Sequence, residues 1–269
     1  MPTAVEKLYK KFEDKKHICV GLDPDPDKFP ATVKKADKSL VRFCRELISS
    51  TSSLAAAYKL NIAFFECHGP KGWEYLEEII SFIPEDILTI ADGKRNDIGN
   101  SARMYAKALY DYYKFDSATV NPYMGFDSAE PFLTRKEKLT FYLALTSNPG
   151  SADFEKLKTE NNQKLYLNVI SNVKQWNTNE NCGIVFGATH PQELRDTIAE
   201  FGNLTVLLPG VGTQGGNLEE TVNIFSENKY PYFLINQSRD IIYASSGSDF
   251  ADAAAERLAQ LNKSVVDIF

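Results

Sequence analysis

DILTIADGKRNDIGNS, residues 86 to 101, runs from an apolar, β-branched stretch into a cluster of charges of both signs and on into a helical pattern. Ile87, Leu88, Thr89 and Ile90 suit a buried strand, and residues 101–113 continue as an amphipathic helix, so the segment reads as one β/α unit. Working outward, comparable apolar runs recur at 17–23 (HICVGLD), 55–65 (AAAYKLNIAFF), 115–123 (FDSATVNPY), 139–147 (LTFYLALTS), 181–189 (NCGIVFGAT), 204–212 (LTVLLPGVG) and 230–238 (YPYFLINQS). Helical patterns fill the intervals, most clearly over 37–50, 72–82, 165–176, 191–201 and 249–261. Continuous apolar strands, each followed by a helix, indicate a parallel sheet covered on both faces. Eight such units predict an α/β fold closed into one (β/α)8 barrel, and 269 residues match the ~250 that such a barrel needs. No Pro/Gly/Ser-rich linker or step in composition interrupts the chain, so residues 1–269 are expected to form a single domain. The polar segment 151–164 reads as a longer excursion after the fifth strand, and 217–225 as a short helix after the seventh.

Hydrophobic residues make up 43% of the chain and charged residues 25%, the balance of an ordinary soluble protein. A net charge of −6 supplies no global attraction for nucleic acid or an anionic membrane, so neither is expected as a partner. Any anionic ligand must therefore be held by a local positive cluster. Cys19, Cys44, Cys67 and Cys182 form no CxxC pair, which speaks against a zinc site or a redox dithiol. His17, His68 and His190 are not spaced as ligands and read as structural or surface residues. The N-terminus MPTAVEKLYKKFEDKK is charged and amphipathic, unlike a signal peptide, and no long apolar run follows; a cytoplasmic chain with reduced thiols is expected.

In a (β/α)8 barrel the ligand site lies at the C-terminal ends of the strands. Those ends carry Asp23, Lys59 with Asn61, Asp92 with Lys94, Asn121, Ser147, Gln214 and Arg239. Residues two apart in a strand share a face, so Asp92 and Lys94 should lie side by side, with Asp97 following in the loop or first helical turn. A unit charge pair near 4 Å is worth ~1 kcal/mol in water and ~4 kcal/mol at an effective dielectric near 20, so burial decides its strength. A solvated pair at a strand end is the plainer alternative. Lys59 sharpens the choice, because a lysine within an apolar strand is costly unless paired, and Asp92 or Asp97 can pair with it.

PGVGTQGG, residues 209 to 216, places four glycines in eight residues after the seventh strand, as backbone cradles for phosphate do. Gly210, Gly212 and Gly215 also satisfy GxGxxG, but a dinucleotide fingerprint should open a βαβ unit with an acidic residue about 20 positions on. Here a single strand follows and ends INQSR. A barrel phosphate site formed after strands seven and eight fits better, and Arg239, by itself an ordinary surface arginine, gains a bidentate role beside it.

ADGKRNDIGNS, taken with VGLDPDP (20–26), KLNIAFFE (59–66), LTSNPGSADF (145–154), GATHPQEL (187–194) and LLPGVGTQGG (207–216), resembles the orotidine 5′-phosphate decarboxylases, most of all the branch carrying KxNxAFFE and ADxKRxDI. The resemblance spans nearly the whole chain in motif order. It implies a homodimeric barrel that converts orotidine 5′-monophosphate to UMP and carbon dioxide, the last step of UMP synthesis, with no metal or organic cofactor. By the same resemblance Lys59, Asp92, Lys94 and Asp97 form the catalytic charge array, with Asp97 contributed across the dimer interface. Asp23 is implied as a ribose ligand and Ser147 as a pyrimidine contact. Pro209, Gln214, Ser238 and Arg239 are implied around the substrate and its phosphate, Ile98 and Ser101 from the partner subunit, and Asn61 as a further substrate contact. Leu60 stands where this branch often has proline, and Ser101 where threonine is usual; serine keeps the hydroxyl. Three alternatives remain: a magnesium-dependent sugar-phosphate decarboxylase or aldolase of the same suprafamily, an NADP-dependent oxidoreductase, and a noncatalytic nucleotide-binding barrel.

Overall fold

In a computed structural model, which describes residues 2–212 and 214–269, eight parallel strands pair in chain order and the eighth returns to the first. They are β1 (Ile18–Leu22), β2 (Ala57–Asn61), β3 (Leu88–Arg95), β4 (Ser117–Val120), β5 (Leu139–Leu145), β6 (Cys182–Phe186), β7 (Thr205–Leu208) and β8 (Phe233–Gln237). Helices lie between consecutive strands, as the right-handed crossover of parallel strands requires. The expected (β/α)8 barrel is therefore the architecture observed.

Strand parity explains how the interior is filled. Cys19, Ala57, Leu88, Ile90, Leu139, Phe141, Val185, Leu207 and Leu234 belong to one buried cluster within the barrel. Their chain neighbours Val20, Tyr58, Ala91, Tyr142, Ile184, Val206 and Ile235 join a second cluster, between sheet and helices. Continuing the inward parity toward the C-terminal ends leads from Cys19 to Asp23, from Ala57 to Lys59 and Asn61, and from Ile90 to Asp92. One end of the barrel is thus apolar and the other charged.

Helix Ala4–Glu13 closes the apolar end. A capping box at Thr3 and Glu6 starts it, and Ala4, Leu8 and Phe12 insert into the interior cluster. Burying Leu8 and Phe12 contributes roughly 2 kcal/mol each. Its polar side is tied to the strand starts by Lys7 to Asp116 at 2.8 Å and Lys11 to Asp86 at 2.7 Å. Among the described residues no helix is long and apolar enough to cross a membrane.

Several expected boundaries move. The run 55–65 stops as a strand at Asn61, whose side-chain oxygen accepts the Ala63 N–H and turns the chain into helix Ala63–Glu66. The helix expected at 101–113 begins at Gly99 and widens into a π-type segment over Lys107–Tyr112. Helices Ala4–Glu13 and Phe126–Leu133 were not among the expected elements, and the 151–164 excursion contains the short helix Ser151–Phe154. Met1 and, within the glycine loop, Thr213 lie outside the described residues.

His17, at the start of β1, is buried between the rings of Phe12 and Phe233, and its Nδ1–H donates to the Phe233 carbonyl at 3.0 Å. Burial pushes its pKa down to about 4, outweighing the carbonyl, which acts the other way. The imidazole is thus neutral when folded, whereas the unfolded chain takes up its proton near pH 6.5. Stability is full above pH 6.5 and falls as the pH drops toward 4, by about 3 kcal/mol over that window. We expect His17→Phe to remove close to one proton from the pH slope of unfolding between pH 6.5 and 4, measured by urea titration; an unchanged slope would place the proton uptake elsewhere.

Candidate active site

β3 carries the centre of the site, and it departs from regular pairing there. Ala91 pairs with Ala118 and Arg95 with Val120, so β3 takes four steps where β4 takes two. The resulting bulge re-aims residues 92–94 toward the barrel mouth. Lys94 within it has φ +46°, a left-handed conformation that costs a lysine on the order of 1 kcal/mol.

The Asp92 carboxylate accepts three donors. Its Oδ2 takes Lys59 Nζ at 2.9 Å, and its Oδ1 takes Lys94 Nζ at 2.8 Å and Thr119 Oγ1 at 2.9 Å. Lys59, one strand away, also lies 3.8 Å from Asp23 on β1's extension. Asp23, Lys59, Asp92 and Lys94 thus alternate in sign across three adjacent strands. Lys59 and Asp92 are buried, whereas the Lys94 side chain is half exposed. Burial opposes the charge on Asp92, but Lys59 and Lys94 outweigh it and hold the carboxyl well below the usual carboxylate range. Burial likewise opposes the Lys59 ammonium, and Asp23 with Asp92 raises its pKa above the ordinary lysine value. Both groups are therefore charged throughout the neutral range. The solvated pair weighed from sequence does not apply to Asp92.

A cavity of about 350 Å³ opens over this array, lined by Asp23, Lys59, Asn61, Asp92, Lys94 and Thr119 on one side. Leu143, Thr146, Ser147, Asn148, Pro209 and Gln214 continue the rim, Asn236 on β8 closes it beside Asp23, and Val185 and Leu207 are apolar lining. A larger, more open depression lined by Trp73, Arg95, Tyr105 and Tyr113 lies outside the barrel mouth and carries no such charge array. Across the mouth, Ser147 Oγ donates to Gln214 Oε1 at 2.7 Å, joining the β5 loop to the glycine loop. Gly210 makes that approach possible: its φ is +99°, and a Cβ there would stand 2.9 Å from Ser147 Cβ.

Eight expected site residues meet at this cavity: Asp23, Lys59, Asn61, Asp92, Lys94, Ser147, Pro209 and Gln214. The others do not line it. Asn121 lines a neighbouring depression, and its side-chain oxygen accepts the Tyr123 N–H. Asp97 accepts the Ile98 N–H at 2.8 Å in the loop after β3, and Ile98 and Ser101 are exposed at the head of helix Gly99–Ala106. Within one chain, therefore, Asp97 does not join the array. Ser238 follows β8 with its Oγ buried and unpartnered among the described residues, and Arg239 is exposed at the start of helix Arg239–Ile242. Thr119, Leu143, Thr146, Asn148, Val185, Leu207 and Asn236 escaped the sequence reading, which took only the last residues of each run. Counting back from each end by twos would have found Thr119 and Asn236. Asn236 Oδ1 and Asp23 Oδ1 are buried without hydrogen-bond partners among the described residues, which leaves two acceptors aimed at the β1/β8 side of the mouth.

Comparison with known proteins identifies the family. A family model described as "Orotidine 5′-phosphate decarboxylase / HUMPS family" matches residues 16–254. The chain belongs to that family. Orotidine 5′-phosphate decarboxylase of Dehalococcoides mccartyi (strain CBDB1) is 43% identical over 255 residues, covering 94% of this chain and 93% of the relative. Among solved structures, Leishmania donovani OMP decarboxylase superposes with a TM-score of 0.81 at 32% identity, covering 97% of this chain and 99% of its own. Leishmania donovani UMP synthase superposes with a TM-score of 0.84 at 34% identity; this chain covers 57% of that longer protein and 97% of itself is matched.

Removing one member of a buried ion pair exposes the cost of the other. We expect Asp92→Asn to destabilise the fold by about 3 kcal/mol, because it leaves the Lys59 ammonium buried with only the more distant Asp23. Adding Lys59→Met should recover most of that loss in urea unfolding. Simple additivity of the two substitutions would show that the pair is not coupled.

Proposed function

We propose that this site decarboxylates orotidine 5′-monophosphate to UMP and carbon dioxide, completing UMP synthesis in the cytoplasm, without metal or organic cofactor. The observation that carries the proposal is the Asp92 carboxylate held between two ammonium groups at the mouth of a barrel of this family. Loss of carbon dioxide from pyrimidine C6 breaks a C–C bond and leaves the electron pair on carbon. A carbanion in a pocket needs a cation already in place, since only interactions stronger in the transition state than in the ground state raise the rate. Lys94 is suited to that role: its ammonium is fixed by Asp92 yet half exposed to the cavity. It stabilises the developing charge and delivers the proton that replaces the carboxylate. Asp92 faces the substrate carboxylate, so departure of carbon dioxide relieves a like-charge contact.

Binding energy must hold those like charges together, and the remote parts of the substrate supply it. The ribose sits against Asp23 and Lys59, with Asn61 close by. Ser147 meets the pyrimidine edge beside Pro209. Gln214, the glycine loop, Ser238 and Arg239 take the phosphate. The Ser147–Gln214 hydrogen bond links the base and phosphate ends of the site, so closing the loop over phosphate also seats the base. The magnesium enzymes of the wider family pose the main alternative. Lys59 counts against it, since its ammonium stands 2.9 Å from Asp92, where a divalent ion would meet a fixed positive charge.

A homodimer would complete the array with Asp97 of each partner subunit. Support comes from exposed apolar residues beside Asp97: Ile98 and Met104, together with Tyr123 (81% exposed), Met124 and Phe126 after β4. Helices Gly99–Ala106 and Phe126–Leu133, which these residues belong to or adjoin, pack on one another. Ile98 and Ser101, exposed beside Asp97, would reach the partner's mouth with it.

Ultraviolet absorbance of orotidine monophosphate, followed with purified protein in excess chelator, tests the activity directly; we expect full turnover by the wild type. Lys94→Ala should lose turnover by at least about 10³-fold while still binding UMP, and near-normal turnover in that variant would refute its role. Mixing inactive Lys94→Ala and Asp97→Ala subunits should restore one working site per heterodimer. Failure of any activity to return would place Asp97 in its own subunit's site.

A further inference from the structure

We infer that Thr119 is a positioning residue for the decarboxylation chemistry: its hydroxyl replaces a hydrogen bond that the β3 bulge removes from the sheet and, in doing so, locks Lys94 and Asp92 in register. The inference rests on the decarboxylase reading of the site for its kinetic consequence and on geometry alone for its structural one. Ladder bonding between β3 and β4 is regular through Ala91 and Ala118 and resumes where Asn121 N–H donates to the Arg95 carbonyl at 3.0 Å. Between those points the Lys94 N–H has turned away from the β4 backbone. Thr119 Oγ1 accepts it at 3.0 Å.

The same hydroxyl donates to Asp92 Oδ1 at 2.9 Å. Its polarity leaves no choice. A backbone N–H can only donate and an ionised carboxylate can only accept, so the one hydroxyl proton points at Asp92 and a lone pair faces Lys94 N–H. Thr119 is 1% exposed, so both bonds are made in a largely desolvated place. One side chain therefore fixes the backbone of the proton donor and the carboxylate that orients it. It also holds Lys94 at φ +46°, a conformation the residue would otherwise leave. Thr119 does not need to touch substrate to matter: a displacement of the Lys94 ammonium by about 1 Å is enough to cost on the order of 10²-fold in rate.

Thr119→Val keeps the shape and removes both bonds, and Thr119→Ser keeps both bonds. With the wild type as reference, we expect the Val variant to lose kcat by about 10- to 100-fold while KM and the affinity for UMP change by less than about 3-fold. The Ser variant should return kcat to within about 3-fold of wild type. Equal impairment of the two variants, a Val variant with unchanged kcat, or a parallel loss of UMP affinity overturns the inference. Amide hydrogen exchange at Lys94 supplies a readout that does not depend on activity. Exchange should be slow in the wild type and the Ser variant and at least about 10-fold faster in the Val variant; equal rates would refute the locked bulge. A wild type that is silent toward orotidine monophosphate but shows this exchange pattern would overturn the decarboxylase reading and leave the locking role intact.

Discussion

The interior of a (β/α)8 barrel tolerates an ionised carboxylate only if donors already surround it, and Asp92 is placed where the apolar filling ends. Below it lie Leu88 and Ile90 on its own strand; above it lies the cavity. Desolvation of such a charge costs several kcal/mol, and three donors from three strands offset it. Much of the local structure follows from that requirement. Lys59 must rise from β2 on the inward face, β3 must bulge to bring Lys94 round to the same carboxylate, and β4 must present a hydroxyl opposite the bulge. The charges are consequently fixed before any substrate arrives, which is the condition under which electrostatics lowers a barrier without reorganisation.

The two ends of the barrel divide the work. The N-terminal end is sealed by helix Ala4–Glu13 and by the stacked Phe12, His17 and Phe233 rings, with Lys7 and Lys11 tied to the strand starts. Apolar packing fills that end, and the cavity with its alternating charges occupies the opposite one. The β5 loop shows how the mouth is kept in shape. Glu155 accepts both the Thr146 N–H at 2.6 Å and the Thr146 hydroxyl at 2.8 Å, while His190 Nε2 meets the Thr146 carbonyl at 2.9 Å. Thr189 donates to the Ser147 carbonyl at 2.9 Å, so the segment that presents Ser147 is held from both sides. None of these residues needs to reach a ligand; they set where Ser147 and Gln214 can meet.

Most of the barrel was legible in the sequence because each strand is a short apolar run and buried parallel strands have to be apolar on both faces. The run 165–176 coincides with the helix Leu165–Trp176. Less legible were elements whose signal is local and polar. Asn61 ends β2 by accepting a backbone N–H, which hydrophobicity alone cannot show, and Phe126–Leu133 is a helix despite Pro131 within it. Helix Ala4–Glu13 was visible as an amphipathic segment, but its place in the barrel floor depends on partners 75 and 109 residues away.

For the site, the sequence by itself determined the chemical inventory: two lysines and two aspartates at successive strand ends, a glycine loop with Gln214, and Arg239 beyond β8. Strand period and motif order suffice for that, because residue type and parity are properties of the chain. Only the tertiary structure decided which charges are partners, that Thr119 belongs with them, and that Asp97 stands outside its own chain's array. The physical reason is that hydrogen bonding and desolvation depend on distances between strands, and in β3 those distances are set by a bulge that leaves no mark in the hydrophobic pattern.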